Sequence, residues 1–269
     1  MNPISKQKVT QNLKATITKA VAELGGFEKY ISKGDTVFLK PNFNTADPFP
    51  ASSDIGFLKV VTELVYESGA DKVILGESST FSQNTGKNMQ KIGVSELAEM
   101  DPAPEIVNLD DGKWVKHDIP NGKYLKKASI PEILSKVDKL ILLPCLKTHF
   151  VAQYTGALKL SVGFMKPSER LKFHIGRVQE KTAELNQLIQ PDLIIMDARK
   201  CFITKGPMDG EVKEPGLIFA STSRVAIDIE GIKTIQSYKG NDLAEISAEE
   251  LPQIKKAVEL GIDMEKTGN

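Results

Sequence analysis

The densest cluster of reactive side chains lies between residues 144 and 174. It runs Pro144-Cys-Leu-Lys-Thr-His149, then Thr155-Gly-Ala-Leu-Lys159, then His174, and it holds two of the three histidines in the chain. An imidazole titrates near neutral pH, so His149 suits a general base or a metal ligand. Thr155-Gly156 ahead of an apolar run can open a helix, whose unpaired N–H groups attract anions. Lys159 sits in that run between Leu158 and Leu160. Apolar neighbours desolvate an amine and lower its pKa, which would make Lys159 a nucleophile or a covalent anchor. The plainer reading is a lysine that snorkels to the surface. His174 is a metal ligand on one reading and a surface or satisfied core residue on the other. Lys147 is a cation suited to an anionic substrate.

Other candidates stand at the ends of apolar runs. Asn42 and Asn44 offer amide hydrogen bonds to a ligand, or simply shape an Asn-Phe-Asn turn. Glu77 is a carboxylate base or ligand, or belongs to a helix cap built on Ser78 or Ser79. Asp197 and Asp228 are open in the same way. Lys205-Gly-Pro-Met-Asp-Gly210 is glycine-rich but lacks the Walker spacing, and a tight turn accounts for it better than a phosphate site. His117 reads as structural or exposed.

The elements that must position these residues alternate between two periods. Val9, Leu13, Ile17, Val21 and Leu24 fall at helical spacing, and Gly25-Gly26 supplies a stop. Residues 36–40 read as a buried strand ended by Pro41. Residues 54–68 read as a helix ended by Gly69, and 72–76 as a second strand. This β–α–β unit is expected to be parallel and right-handed. Residues 139–144, 193–197 and 217–220 are further buried strands. Residues 178–190, 225–235 and 251–262 read as helices. Such continuous apolar strands predict an α/β fold with a mostly parallel sheet covered by helices on both faces. Residues 101–130 break the rhythm with turn signals at Asp101-Pro-Ala-Pro104, Asp110-Asp-Gly112 and Pro120-Asn-Gly122. Short strands at 105–109 and 114–119 predict an excursion there, an inserted hairpin in a single domain over 1–269. In such sheets ligands bind beyond the carboxyl ends of the strands.

Composition narrows the function classes. The chain has 269 residues, 41% of them hydrophobic, with 35 basic residues balancing 35 acidic ones. That balance gives no electrostatic case for nucleic acid or an anionic membrane. No apolar run is long enough to cross a bilayer. Met1 to Val9 lacks the apolar core of a signal peptide. Cys145 and Cys201 are the only two cysteines, which predicts a reducing compartment, most simply the cytoplasm. Two thiols also fall short of a self-contained iron–sulfur cluster, so a four-cysteine centre would require a homodimer. G-x-G-x-x-G, H-E-x-x-H, G-x-S-x-G and C-x-x-C are all absent, against a self-evident dinucleotide enzyme, zincin, α/β-hydrolase or zinc ribbon.

Four segments together resemble the DUF362 family. They are Val37-Phe-Leu-Lys-Pro-Asn42, Ser68-Gly-Ala-Asp-Lys-Val-Ile-Leu-Gly-Glu-Ser78, Leu143-Pro-Cys-Leu-Lys-Thr-His149 and Thr155-Gly-Ala-Leu-Lys159. Met196-Asp-Ala198, Gly206-Pro207 with Gly210, and Val225-Ala-Ile-Asp228 extend the match over residues 36–235. Many members of that family carry a ferredoxin-like segment with cysteine clusters. This chain has none, so a redox role implies a ferredoxin-type partner or another centre.

The order and spacing of His149, Lys159 and His174 are also similar, more remotely, to the N-terminal domain of nickel-pincer lactate racemases. That resemblance implies an acid/base role for His149, a pyridinium-type cofactor carried on Lys159, and nickel or another divalent metal ligated by His174. Where the racemases place a second catalytic histidine, this chain has Gly76-Glu-Ser-Ser79, with Glu77 as the substitute. Two functions are therefore expected. One is an enzyme acting on a small anionic carboxylate by isomerase or redox chemistry, with His149, Lys147 and Glu77 catalytic, and Lys159, Asn42, Thr155 and Gly156 holding a cofactor. The other is a carrier of metal or cofactor that works beside an iron–sulfur protein without chemistry of its own.

Overall fold

The computed structural model describes residues 3–263. In chain order the elements are β1 (Ile4–Lys8), α1 (Leu13–Ala22), β2 (Thr36–Lys40), α2 (Ile55–Glu67), β3 (Lys72–Glu77), α3 (Thr85–Ile92), β4 (Glu105–Asn108), β5 (Trp114–Asp118) and β6 (Lys127–Pro131). They continue with β7 (Lys139–Leu142), β8 (Cys145–His149), β9 (Gln153–Thr155), α4 (Ala157–Leu160), α5 (Pro167–Phe173), α6 (Val178–Leu185), β10 (Leu193–Phe202), β11 (Val212–Lys213), β12 (Leu217–Ser221), α7 (Arg224–Gln236) and α8 (Pro252–Glu259).

The main sheet runs β1-β12-β10-β7-β2-β3-β4. Its pairings from β10 through β7, β2 and β3 to β4 are parallel, while β12 and β1 close the other edge antiparallel. Alternate residues of each central strand enter different cores. Phe38, Ile74, Leu140, Leu142, Ile194 and Met196 pack on one face. Val37, Leu39, Val73, Leu75, Ile141 and Ile195 pack on the other, beneath Ile17 and Val21 of α1 and Phe57, Leu58 and Val61 of α2. The helices start where sequence chemistry places them. Asn12, Asp54, Asn84 and Ser223 each accept an N–H of the first turn of α1, α2, α3 and α7, which satisfies one of the donors a helix start leaves open.

Two details depart from the sequence expectation. The excursion at 101–130 divides: β4 joins the main sheet as an edge strand, and β5 pairs with β6 in a separate two-stranded sheet. The first strand has no apolar alternation to betray it. Its inward residues are Ser5 and Gln7, whose side chains donate to Glu23 at 2.7 and 2.6 Å.

Pro144 shapes the region that matters for function. It cannot donate to the ladder, so the strand begun by β7 breaks there. Its carbonyl still accepts from Asp197 N at 2.9 Å. The chain resumes as β8, parallel to the second half of β10 with a register shift, and carries Lys147 and His149 beyond the ends of β2 and β3. A hairpin partner, β9, returns it to α4.

A buried carboxylate fixes the opposite flank. Glu184 of α6 accepts the backbone N–H groups of Lys123, Tyr124 and Leu125 at 2.8, 2.9 and 2.7 Å. Glu184→Ala leaves those donors without their acceptor and is expected to cost about 2–4 kcal/mol. Urea unfolding measures the loss, and faster amide exchange at 123–125 localises it.

Candidate functional site

The ends of β2, β3 and β8 surround a cavity of about 340 Å³. Lys40, Asn42, Glu77, Lys147, His149, Thr155, Lys159, Arg170 and His174 all contribute to its wall. Of the candidate positions from the sequence, Asn42, Asn44, Glu77, Lys147, His149, Thr155, Lys159 and His174 meet in one place, while Gly156, Asp197 and Asp228 are outside the wall. Asp197 lies within β10, where Arg199 pairs with it at 2.7 Å and with Asp54 at 2.8 Å.

Glu77 is the anion at the back of the cavity. Its Oε1 accepts from Lys40 Nζ at 2.5 Å and from Ser78 N at 2.7 Å, and its Oε2 accepts from Phe43 N at 2.8 Å. Both partners of the ion pair are almost wholly buried. Burial pushes the Lys40 amine down, and Glu77 opposes that shift. Gly163 closes over the pair, since a Cβ there would meet Lys40 Nζ at 2.7 Å and Glu77 Oε1 at 2.8 Å. With both oxygens engaged, Glu77 acts in this arrangement as a counter-ion.

Arg170 of α5 is buried without a carboxylate on its guanidinium. It donates to the carbonyls of Met165, Gly163, Ser78 and Ser79 and to Ser78 Oγ. These bonds staple α5 to the end of β3 and leave the charge itself facing the cavity. Lys147 is similar: its ammonium is held by the carbonyls of Pro50 and Ala51. Burial lowers it to about 8. A lysine has three donors, so one remains for a ligand.

Lys159 has no hydrogen bond or ion pair among the described residues. Its Nζ lies 6.0 Å from the centre of the Phe173 ring. Burial, reinforced by Arg170 and Lys147, lowers its pKa to about 8. The amine is therefore part neutral, part charged near physiological pH.

The two histidines are set in opposite senses. His149 Nδ1 accepts the N–H groups of Val151 and Ala152 at 3.0 and 3.2 Å. A nitrogen that accepts carries no proton, so the neutral ring carries its proton on Nε2. Burial first, then Lys159, Lys147 and His174, drive its pKa down to about 2. His149 is thus a neutral N–H donor. His174 Nδ1 lies 2.7 Å from the Arg170 carbonyl oxygen, which can only accept. Its proton is on Nδ1 and its Nε2 lone pair is free. Burial and the nearby Lys159 lower this ring as well.

This chemistry tests the expected metal. An imidazole whose other nitrogen donates to a backbone carbonyl is the usual form of a metal-bound histidine, and His174 has it. His149 does not, because the nitrogen that would ligate holds the proton. Among the described residues no group of three or more His, Cys, Asp or Glu side chains is arranged around a metal position. In their neutral forms, then, His174 presents an unprotonated Nε2 and His149 a protonated one.

The helix opened by Gly156 does not face the cavity with its free N–H groups. Asp228 accepts from Ala157 N at 2.6 Å and from Leu158 N at 3.0 Å, so the anion at this helix start is the protein's own. Gly156 is required there by space, since a Cβ would lie 2.1 Å from Asp228 Oδ1. Thr155, by contrast, lines the cavity and its buried Oγ1 has no hydrogen-bond partner. The carboxamide of Asn42 is also unpaired. The glycine-rich segment 205–210 is the turn between β10 and β11, and its Pro207 and Met208 form part of the cavity wall. Cys145 and Cys201 are fully buried, and burial raises them to about 11 and about 12.

Sequence reasoning passes over Lys40 and Arg170. Lys40 had a signal, a lysine closing an otherwise apolar strand. Arg170 had none, because its function depends on carbonyls contributed by distant segments.

Fold and site together define an α/β protein with a cavity lined mainly by cationic side chains at the carboxyl ends of a mainly parallel sheet. Residues 37–233 match the family described as a domain of unknown function, DUF362, and the chain belongs to that family. It is also similar to a thylakoid-associated protein of Synechocystis sp., 30% identical over 227 residues that span 81% of this chain and 68% of the relative. Neither match carries an activity or a substrate.

Two outcomes are expected from this geometry. Acylation of Lys159 should rise with pH through a midpoint near 8, well below the ordinary lysine value of about 10.4. Competitive labelling with mass spectrometry measures it against the surface lysines. Glu77→Gln strands the buried Lys40 charge and should cost about 3–5 kcal/mol. Combining it with Lys40→Met should cost clearly less than the two single changes summed, as read from urea unfolding.

Proposed function

We propose that this chain is an enzyme that binds a small organic carboxylate in the cavity and performs isomerase or redox chemistry on it. In this reading a metal–organic cofactor is attached at Lys159 and ligated by His174. The observation that carries the proposal is an unpaired, partly neutral lysine sharing a cavity with two histidines of opposite tautomer. Among the described lining residues Glu77 is the only carboxylate, and Lys40 already satisfies it. The remaining charges of Lys147 and Arg170 favour an anion there.

The roles divide by hydrogen-bonding capacity. Lys147 offers its third N–H to the carboxylate, and Asn42 and Thr155 Oγ1 offer neutral bonds beside it. His149 presents Nε2–H to a substrate oxygen, holding or delivering a proton there. His174 offers Nε2 to a divalent metal that suits imidazole, nickel among them. When bound, the cofactor would supply an electron-accepting centre that no side chain here provides. The remote similarity to nickel-pincer racemases supports this arrangement, and the missing second histidine limits the proposal to the reaction class.

Metal analysis and intact mass on anaerobically purified native protein test it. About one transition metal per chain is expected, with added mass mapping to Lys159. His174→Ala should lose the metal and keep the added mass. His149→Ala should keep both and lose turnover with an unchanged circular dichroism spectrum. Neither metal nor added mass would remove the cofactor and leave an anion-binding cavity. Undiminished turnover in His149→Ala would remove the role of that ring.

The thylakoid association named for the relative favours a second reading. The chain would then work beside a membrane as a carrier that passes its ligand to a ferredoxin-type partner. No helix among the described residues is long and apolar enough to cross a membrane, so that association would be peripheral or through the partner. Ligand retention without product, together with co-purification of an iron–sulfur protein, distinguishes this reading from the enzyme.

A further inference from the structure

The floor of the cavity is cationic, but its mouth is apolar. Phe81, Phe150, Val151 and Met208 all line it, and each is between 41% and 69% exposed. Exposed apolar residues scattered singly need no explanation. Four gathered around one opening, from three separate segments, are a different observation. They are also held in place. Phe150 stacks on the His149 ring with centroids 5.2 Å apart. Val151 donates its N–H to His149 Nδ1. Phe150 N donates to Gly206 O at 2.8 Å, tying the β8 end to the turn that carries Met208. The bond from Val151 that fixes the histidine tautomer therefore also holds one residue of the apolar rim.

We infer that the ligand of this site is an amphiphilic organic anion, with a carboxylate head among Lys147, Asn42 and the Thr155 hydroxyl and an alkyl or aryl tail along Phe81, Phe150 and Met208. The inference rests on the reading of the cavity as a carboxylate site and names the substrate class it selects. A small hydrophilic acid would satisfy the floor and leave the rim in water. A tail joined to the head covers both, and the charge at the bottom sets which end enters first.

Calorimetric titration of the native protein with acetate, butyrate, hexanoate and octanoate tests this, with octanol as the uncharged control. Affinity should climb by about two- to fourfold per methylene, the upper value being that of a fully buried methylene. Phe150→Ser combined with Met208→Ser should flatten the series while acetate binds as before. Lys147→Met should weaken every acid by a similar factor and leave the slope intact. A flat series in the unaltered protein would overturn the tail. Octanol binding as tightly as octanoate would overturn the pairing of head with tail. If no acid binds at all, acetate and octanoate alike, the carboxylate reading of the cavity fails, which is a separate outcome from a flat series.

Discussion

The site depends on one buried ion pair, Lys40 with Glu77. Taking two charges out of water costs several kcal/mol each, and such a pair persists only where further hydrogen bonds complete it. Here they do so by joining segments. Glu77 binds the backbone N–H groups of Phe43 and Ser78 as well as Lys40, so the turns after β2 and β3 are locked to a common centre. Arg170 then grips the carbonyls of Ser78 and Ser79 and brings α5 onto the same centre. His174 takes its orientation from the Arg170 carbonyl. The chain of support runs from an ion pair at the carboxyl ends of β2 and β3 to Nε2 of a histidine more than ninety residues beyond Glu77 in sequence.

The second constraint is an excess of positive charge held by neutral oxygens. Arg170 and Lys147 are satisfied by carbonyls, which complete their hydrogen bonds without cancelling their charge. Lys159 is not satisfied at all. The consequences appear in the neighbouring groups: Arg170 and Lys147 press Lys159 toward the neutral amine, and Lys159 presses both histidines toward the neutral ring. A cavity built this way favours the neutral form of both imidazoles. In that form His149 is a donor and His174 an acceptor.

Much of this was legible in the sequence because apolar periodicity and strand ends are local signals. Residues 36–40, 54–68 and 72–76 declare a β–α–β unit through Val37, Leu39, Leu58, Val61 and Val73, and the structure builds it there. His149, Lys159 and Thr155 could be singled out because each follows or interrupts an apolar run. What stayed hidden was non-local polar satisfaction. The strand Ile4–Lys8 is polar on its inner side because Glu23 meets Ser5 and Gln7, and nothing in its own residues says so. Arg170 looks like any surface arginine on a short helix until the carbonyls of four other residues surround it. The helix at Gly156 reads as an anion site, and it is one, but the anion is Asp228, seventy-two residues further along.

That internal anion bears on the charge left in the cavity wall. Asp228 meets α4 at the buried side of its first turn, bonded to Ala157 and Leu158 and approached by Tyr154 Oη at 3.4 Å. Burial raises its pKa to about 7, so near neutrality it is at best a partial charge. Its bonds are spent on α4, which fixes the backbone on which Lys159 stands. Glu77 is likewise spent on Lys40. Glu77 and Asp228 are thus both used to build the site. Glu77 and Asp47 still offset Lys147, and Glu77 and Asp110 offset Arg170, electrostatically and without an ion pair, whereas only cations act on Lys159. The charge of the cavity wall is therefore set by which carboxylates the fold consumes in its own packing.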